Sequence, residues 1–363
     1  MSKRILIAAG GTGGHIFPAQ GLAQEIKRRI PSSSVLFVAG KLGSNKYFDR
    51  SLFPFKEVVS SPLLSKNPIR SLKGLFNLAK GLYQSIKIMK DFQPDTVVGF
   101  GSYYTVPTLL AAKLLRIPIV LHEANSIPGK ANKWLAPFAC KIGVHFPSTL
   151  SLLGKHAIEV GMPLREGYAR GDIKREEALA YFKLSKEKAI LLVFGGSQGA
   201  QAINALMKGC VADLKETSLQ VIHLTGNELA VEELAVFYAS HGIPATVRAF
   251  EANMHYAWSI ADFFIGRAGA STIAEAMEFE VPGILIPYPY ATDQHQDKNA
   301  DFLVETVKGA VKCKEADLVA KELGRLIQLY SLKSYLEPMR QAIQAYKQRP
   351  NRLTLCELIL NLK

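Results

Sequence analysis

The sequence predicts an α/β protein built from two Rossmann-like, doubly wound parallel-sheet domains that face a cleft. Three observations lead there. First, the chain repeats itself: Ile5-Leu6-Ile7-Ala8-Ala9-Gly10-Gly11-Thr12-Gly13-Gly14 lies over Ile190-Leu191-Leu192-Val193-Phe194-Gly195-Gly196-Ser197-Gln198-Gly199, so each half opens with a buried strand running into a glycine-rich turn. Second, short apolar runs alternate with helix-like segments in both halves, the pattern of parallel strands covered by helices on both faces. Third, 363 residues, 48% hydrophobic and 21% charged, are too many for one ordinary core and too apolar for disorder.

The first strand is expected from Ile5 to Ala9, and Ala19, Leu22, Ala23 and Ile26 follow it at helical spacing. Further strands are expected at Val35 to Ala39, Thr96 to Gly99 and Ile117 to Leu121. In the second half, Ala200, Ile203, Met207 and Cys210 mark the helix behind the strand at Ile190, and strands are expected at Gln220 to Leu224, Asp262 to Ile265 and Gly283 to Ile286. Gly161-Met162-Pro163 follows a polar stretch and precedes a charged run, which sets the expected domains at 1–163 and 164–342. A C-terminal helix over about 343–363 is expected to pack back on the first domain.

The formal charge of +13 is unevenly placed. Residues 1–163 hold 21 Lys and Arg against 7 Asp and Glu, and residues 164–363 hold 23 against 24, so the whole excess sits in the first half and points it at an anionic surface or polymer. Between Val58 and Lys90 lie Lys66, Arg70, Lys73, Lys80, Lys87 and Lys90 with no acidic residue. Lys66, Lys73, Lys80 and Lys87 recur every seven residues, so a helix there carries them as one stripe beside Ile69, Leu72, Leu75, Phe76, Leu78 and Leu82. This is a membrane-surface pattern, in which each lysine near an anionic leaflet contributes about 1 kcal/mol. The competing reading is a core helix with a solvated face. The same charge invites a nucleic acid, but the stripe is interleaved with aliphatic side chains and no nucleic-acid motif appears, so no nucleic acid is expected as a partner.

The opening apolar run is too short for a signal-peptide core, no apolar stretch reaches a bilayer's thickness, and Cys140, Cys210, Cys313 and Cys356 lack disulfide or zinc spacing. Membrane contact is therefore expected to be peripheral, from a reducing cytoplasm.

Glycine-rich turns that feed helix N-termini present backbone N–H groups and about half a positive charge to a phosphate. Neither turn carries the dinucleotide Gly-x-Gly-x-x-Gly spacing, no acidic residue ends the strand near Ala39 to grip a ribose, and there is no P-loop. His15 follows the first turn directly and is the best-placed base, with a structural role as the alternative. His122-Glu123-Ala124-Asn125 should enter the cleft from the same edge, His122 as a structural residue, and whether Glu123 shares the base role stays open. In the second half, Gly266-Arg267-Ala268-Gly269-Ala270-Ser271-Thr272-Ile273-Ala274-Glu275 reads as strand end, turn and helix start. Glu275 is expected in the first helical turn, where it either complements the dipole or accepts ribose hydroxyls. Pro287-Tyr288-Pro289-Tyr290-Ala291-Thr292-Asp293-Gln294-His295-Gln296 is a proline-stiffened loop crowded with hydrogen-bonding groups, as a binding loop is. No Asp-x-Asp occurs to clamp a diphosphate through a metal, so helix ends must neutralise an anionic group, and no metal is expected.

Several ordered blocks now stand together: Gly10-Gly11-Thr12-Gly13-Gly14-His15-Ile16-Phe17-Pro18, His122-Glu123-Ala124-Asn125 with Asn132-Lys133-Trp134-Leu135, Gly161-Met162-Pro163-Leu164-Arg165, Gly195-Gly196-Ser197-Gln198-Gly199-Ala200, the segment Arg267 to Glu275, and Asp293-Gln294-His295-Gln296 with Asn299-Ala300. Nearly end to end, in these blocks, the chain resembles the bacterial family that transfers N-acetylglucosamine from UDP-N-acetylglucosamine to undecaprenyl-linked muramyl-pentapeptide, making lipid II from lipid I. The resemblance implies a two-Rossmann transferase fold of the GT-B type and an inverting, metal-independent reaction that needs no cofactor. It implies an enzyme peripheral to the cytoplasmic face of an anionic membrane, with UDP-N-acetylglucosamine held by the second domain and the lipid acceptor by the first. By position, Ser197 and the helix start Ala270, Ser271, Thr272, Ile273 and Ala274 would meet the nucleotide and diphosphate, Glu275 the ribose and Gln296 the sugar. Thr12, Gly13, Gly14, Asn125 and Arg165 would close on the donor from the other side or the hinge, and His15 would deprotonate the muramyl 4-hydroxyl.

Against the family's usual pattern, Ser102-Tyr103 replaces Gly-Tyr, Ala268 a frequent serine and His295 a common glutamine, and Glu251 follows Phe250 where an aliphatic residue often sits beside uracil. A same-fold transferase acting on another lipid, or a UDP-N-acetylglucosamine epimerase, is the nearest enzymatic alternative; the blocks around Asn125 and Gln296 favour the cell-wall reading.

Overall fold

A strand covered on both faces must be apolar throughout, and the runs that open the two halves meet that demand: Ile5, Leu6 and Ile7, like Ile190, Leu191, Leu192 and Val193, are fully buried. The computed structural model describes residues 3–62, 68–196, 201–215, 217–350 and 353–362. The chain forms two compact units, Met1–Glu166 with Asn351–Lys363, and Gly167–Pro350.

The first unit contains β1 (Arg4–Ala8), β2 (Ser34–Ala39), β3 (Phe55–Glu57), β4 (Thr96–Gly99), β5 (Ile119–Glu123), β6 (Lys141–Val144) and β7 (Ala157–Gly161). The second contains β8 (Ala189–Phe194), β9 (Leu219–Leu224), β10 (Ala245–Arg248), β11 (Phe263–Gly266), β12 (Gly283–Leu285) and β13 (Ala310–Lys312). β14 (Leu353–Thr354) pairs with β7 and so returns the end of the chain to the first unit. The described pairings are parallel, in the orders β3-β2-β1-β4-β5-β6-β7-β14 and β10-β9-β8-β11-β12-β13. Counted from its own first strand, each sheet runs in the doubly wound order 3-2-1-4-5-6, which β7 and β14 extend in the first unit. In that order successive connections leave the first strand in opposite directions, so a crevice opens at the carboxyl ends of the first and fourth strands. Both glycine turns lie there, after β1 and after β8.

One strand departs from expectation in a way that matters. β5 starts at Ile119, two residues later than expected, because Pro118 lacks an N–H and joins the ladder only through its carbonyl, which accepts from Val97 N at 2.9 Å, and it runs on to Glu123, two residues beyond the expected end. His122 and Glu123 are therefore strand residues, fixed by pairing with Gly143 and Val144.

The helix Lys333–Lys347 is tied to the second unit, where Lys347 Nζ donates to Glu278 O at 2.6 Å and Arg340 to Asp262 O at 3.1 Å. The short helix Leu355–Leu360 belongs to the first. Thr354 and Glu357 form a reciprocal capping box, and Glu357 pairs with Arg29 at 3.1 Å, at the end of the helix Gly13–Arg29.

The basic stripe falls on the helix Pro68–Phe92, except that Lys66 lies outside the described residues. Gly81 lets this helix rest on the segment before it, since a Cβ there would sit 2.0 Å from Val59 O. Leu78, Leu82 and Ile86 pack on the core, whereas Leu72, Leu75, Phe76 and Tyr83 point to solvent, 60–72% exposed, among the exposed Lys73, Lys80 and Lys87. No helix among the described residues is long and apolar enough to cross a membrane.

Candidate active site

In the first unit, β1 ends in Ala9-Gly10-Gly11 and Thr12 caps the helix Gly13–Arg29. Gly11 has φ +89, which strongly favours glycine, and a Cβ on Gly10 would lie 2.7 Å from Tyr104 Cβ, so the turn must be bare for the segment after β4 to cross it. His15 is the third residue of the helix, and its Nδ1 lies 3.3 Å from Thr12 Oγ1. The ring is approached from the β4 side by Gly101, at φ +78, whose Cβ would stand 3.5 Å from His15 Nε2 and 3.4 Å from Asn132 Nδ2. Gly14, Thr12 and His15 thus present one partly exposed edge at the crevice of β1 and β4.

Behind that edge is a buried polar cluster. Glu123 is 3% exposed, and both of its oxygens are engaged: Oε1 accepts from Asn125 N at 3.0 Å, and Oε2 from Gly129 N at 2.9 Å and Asn132 Nδ2 at 2.8 Å. This carboxylate is a staple that fixes Asn125 and Asn132, and its lone pairs are spoken for. Asn132 also donates to His122 O at 3.0 Å. His122 is 1% exposed, lies 5.1 Å from the Phe100 ring, and has an Nε2 with no hydrogen-bond partner among the described residues. Burial, assisted by the nearby His15, pushes its pKa down to about 3, so it is neutral at physiological pH. Arg165 reaches the same helix by stacking its guanidinium 4.2 Å over Phe17, two residues along from His15.

In the second unit Ser197 lies outside the described residues, which resume at the helix Gln201–Leu214. β11 runs into Arg267-Ala268-Gly269 and the helix Ala270–Phe279, with Gly269 as N-cap and no side-chain cap. The first-turn amides therefore lack intrahelical acceptors, as at any helix start. Thr272, Ile273 and Ala274 turn their side chains into the core, which leaves only their backbone to meet a ligand, and Ser271 Oγ is buried with no partner among the described residues. Arg267 is 6% exposed and clamps the loop after β12: it donates to Ile286 O at 3.1 Å, pairs with Glu315 and stacks 5.3 Å from the Tyr288 ring. Gln296 Oε1 accepts from Tyr288 N at 3.0 Å and closes the same loop.

Glu275 requires a correction. With the helix starting at Ala270, it is the sixth helical residue, in the second turn and not the first, so it does not cap this helix. Its Oε2 accepts instead from Trp258 Nε1 at 2.7 Å. Glu251, beside the exposed Phe250, is 5% exposed and held by Arg248, by Tyr181 Oη at 3.0 Å and by Asn253 N at 2.7 Å.

The first unit thus gathers Thr12, Gly13, Gly14, His15, Asn125 and Arg165 around one crevice, and the second gathers Ala270 to Glu275 with Gln296 around another. Asn132, Gly101, the Arg267 clamp and Trp258 carried no assigned role in the sequence. Asn132 and Arg267 lay inside quoted blocks, whereas the contacts of Gly101 and Trp258 are long-range and left no local signal. No group of three or more His, Cys, Asp or Glu among the described residues could hold a metal ion.

Residues 5–144 match the glycosyltransferase family 28 N-terminal domain, and residues 190–351 match the glycosyltransferase family 28 C-terminal domain. The chain is 63% identical over 361 residues to the UDP-N-acetylglucosamine–N-acetylmuramyl-(pentapeptide) pyrophosphoryl-undecaprenol N-acetylglucosamine transferase of Protochlamydia amoebophila, covering 99% of this chain and 96% of the relative. It is 35% identical to the enzyme of that name from Halothermothrix orenii, over 98% of both chains. Among solved structures it resembles MurG of Acinetobacter baumannii, with a TM-score of 0.73 at 27% identity over 99% of this chain and 98% of the other. A UDP-glucose: anthocyanidin 3-O-glucosyltransferase in complex with UDP, at 15% identity and a TM-score of 0.68 over 96% of this chain and 94% of that one, shares the fold. From paired doubly wound sheets, glycine turns at both switch points and near-complete alignment with these enzymes, it follows that the chain belongs to the UDP-N-acetylglucosamine–N-acetylmuramyl-(pentapeptide) pyrophosphoryl-undecaprenol N-acetylglucosamine transferases, with the two domains of glycosyltransferase family 28.

Proposed function

We propose that this protein transfers N-acetylglucosamine from UDP-N-acetylglucosamine to the 4-hydroxyl of the muramyl sugar of undecaprenyl-diphosphate-linked muramyl-pentapeptide. The observation that carries this reading is the 63% identity over 99% of the chain to an enzyme named for that donor and acceptor. It also favours this reaction over transfer to another lipid or epimerisation of the donor.

His15 is the base. With Nδ1–H donated to Thr12 Oγ1, at 3.3 Å, the lone pair lies on Nε2. Nε2 takes the proton of the muramyl 4-hydroxyl while the oxygen attacks the anomeric carbon; the bond from that carbon to the diphosphate breaks, and UDP leaves with the electron pair. Inversion follows from the single displacement. The first-turn amides of Ala270, Ser271 and Thr272, with the buried hydroxyl of Ser271, meet the charge that develops on the diphosphate. Glu275 accepts the ribose hydroxyls, and Ser197 and Gln296 complete the donor site. Thr12, Gly13, Gly14, Asn125 and Arg165 supply further contacts to the donor.

The acceptor is lipid-anchored, and the helix Pro68–Phe92 suits a docking surface: Leu72, Leu75, Phe76 and Tyr83 are exposed beside Lys73, Lys80 and Lys87. Together these side chains form the stripe that rests on the anionic cytoplasmic leaflet. Replacing Lys73, Lys80 and Lys87 with glutamate is expected to abolish sedimentation with anionic vesicles, and equal sedimentation of variant and parent removes the assignment.

The reaction is tested by supplying labelled UDP-N-acetylglucosamine with a panel of acceptors, with and without chelator. Transfer confined to the muramyl lipid and undisturbed by chelation is expected. Transfer to a different lipid, or release of the free sugar alone, overturns the reading.

A further inference from the structure

Trp258 sits in the helix Met254–Ile260 of the second unit and is 1% exposed. Its ring is wedged by two phenylalanines that end or enter the central strands. Phe194, the last residue of β8, lies 5.5 Å away at 87°, and Phe264 of β11 lies 5.1 Å away at 73°. β8 and β11 are the first and fourth strands of this sheet, the pair that flanks its crevice, and each leads into a glycine turn. A buried indole N–H requires an acceptor, and this one is directed at Glu275 Oε2, 2.7 Å away. Glu275 stands in the second turn of its helix, beyond the cap and the first-turn amides. An indole with two fixed χ angles, packed at the core, is a rigid donor, whereas a glutamate with three is not rigid by itself.

We infer that Trp258 is a positioning residue for nucleotide recognition: its N–H fixes the Glu275 carboxylate so that it meets the ribose hydroxyls of a uridine diphosphate sugar. This rests on the reading of Glu275 as the ribose-binding group. Packing alone would make Trp258 matter for stability and leave ribose recognition untouched, so the two differ in what they predict for a nucleotide without ribose hydroxyls.

The experiment compares the affinities of UDP and 2′,3′-dideoxy-UDP by calorimetry for the natural chain, Glu275→Ala and Trp258→Phe. The natural chain is expected to prefer UDP by about 10²-fold, the size of one or two hydrogen bonds to a charged group. Glu275→Ala should erase the preference, and Trp258→Phe should cut it to less than about tenfold while leaving dideoxy-UDP binding near its natural value. If Glu275→Ala keeps the full preference, the underlying ribose reading fails and the inference with it. If Glu275→Ala loses the preference and Trp258→Phe retains it, the inference alone is overturned.

A second measurement covers a Trp258→Phe chain that does not fold. The protein has two tryptophans, so Trp134→Phe isolates the emission of Trp258. A change in that emission on adding UDP, absent with dideoxy-UDP at saturating concentration, supports the coupling, and equal responses to both overturn it.

Discussion

His122 lies in β5 of the first unit and His223 in β9 of the second; both are buried, and burial pushes both pKa values down to about 3. Their surroundings differ. His223 has each ring nitrogen engaged, Nδ1 with Tyr238 Oη at 2.9 Å and Nε2 with Asn204 Oδ1 at 2.9 Å. His122 keeps Nε2 without a partner among the described residues, and after burial the nearby His15 is the second cause that lowers its pKa. Burial and a depressed pKa therefore do not distinguish a structural histidine from one at a reacting site. What distinguishes them is whether the ring's hydrogen bonds are used up within the fold.

The largest effect that tests this contrast is at the partly exposed ring in front of His122. His15→Ala should lower kcat by about 10²- to 10⁴-fold with little change in donor affinity. Steady-state kinetics with near-normal turnover would remove the base from the first unit and, with it, the reason for treating the two regions differently.

Next in size is the satisfied ring. His223→Leu leaves the buried Tyr238 hydroxyl and the Asn204 amide oxygen without partners, at about 1–3 kcal/mol each. A loss of about 3 kcal/mol, roughly 10 °C in Tm, should appear in thermal melts, with kcat per folded molecule unchanged. His122→Leu removes no partner from Nε2 and should cost less than His223→Leu; equal losses break the comparison.

Acid sharpens it further. Each histidine has a folded pKa near 3 against 6.5 when unfolded, so between those values the unfolded chain binds more protons. The sign is thus fixed: their contribution is full above pH 6.5 and is lost as pH falls toward 3, at up to about 1.4 kcal/mol per pH unit for each ring. Melts at pH 7 and pH 5 should show either His→Leu variant losing less on acidification than the natural chain. Parallel losses would mean that neither ring carries the shift.

These contrasts also mark what was legible in sequence. The turns were, because Gly10-Gly11 and Gly195-Gly196 are local demands of backbone geometry, with φ +89 at Gly11 and +78 at Gly196. The repeat also announced the matching strand-and-turn units at β1 and β8. Glu275 was misplaced because the glycine turn does not show where the helix begins: the chain caps at Gly269 and starts the helix at Ala270, which puts Glu275 in the second turn. Glu123 as a staple could not be read at all, since its donors Gly129 and Asn132 come from the following loop and helix, and only folding shows which lone pairs they occupy.

The smallest predicted effect concerns backbone strain beside the same crevice. Ser102 has φ 69 and ψ 151, a region that is essentially reserved for glycine, and it is held there by Thr105, whose N and Oγ1 donate to Ser102 O at 3.2 and 2.9 Å. In the second unit the loop residues Asp293 and Gln294 also have positive φ, 52 and 53, but with ψ of 24 and 29 they lie in the ordinary left-handed region that side chains tolerate better. Ser102→Gly relieves about 1–3 kcal/mol of strain and gives back part of it, about 0.5–1 kcal/mol, through the greater freedom of glycine in the unfolded chain. The net gain should be about 1 kcal/mol, a rise of about 2–4 °C in Tm. Gln294→Gly should gain less than half of that. A larger gain at Gln294 than at Ser102 would place the stored strain on the loop of the second unit and not against the His15 turn.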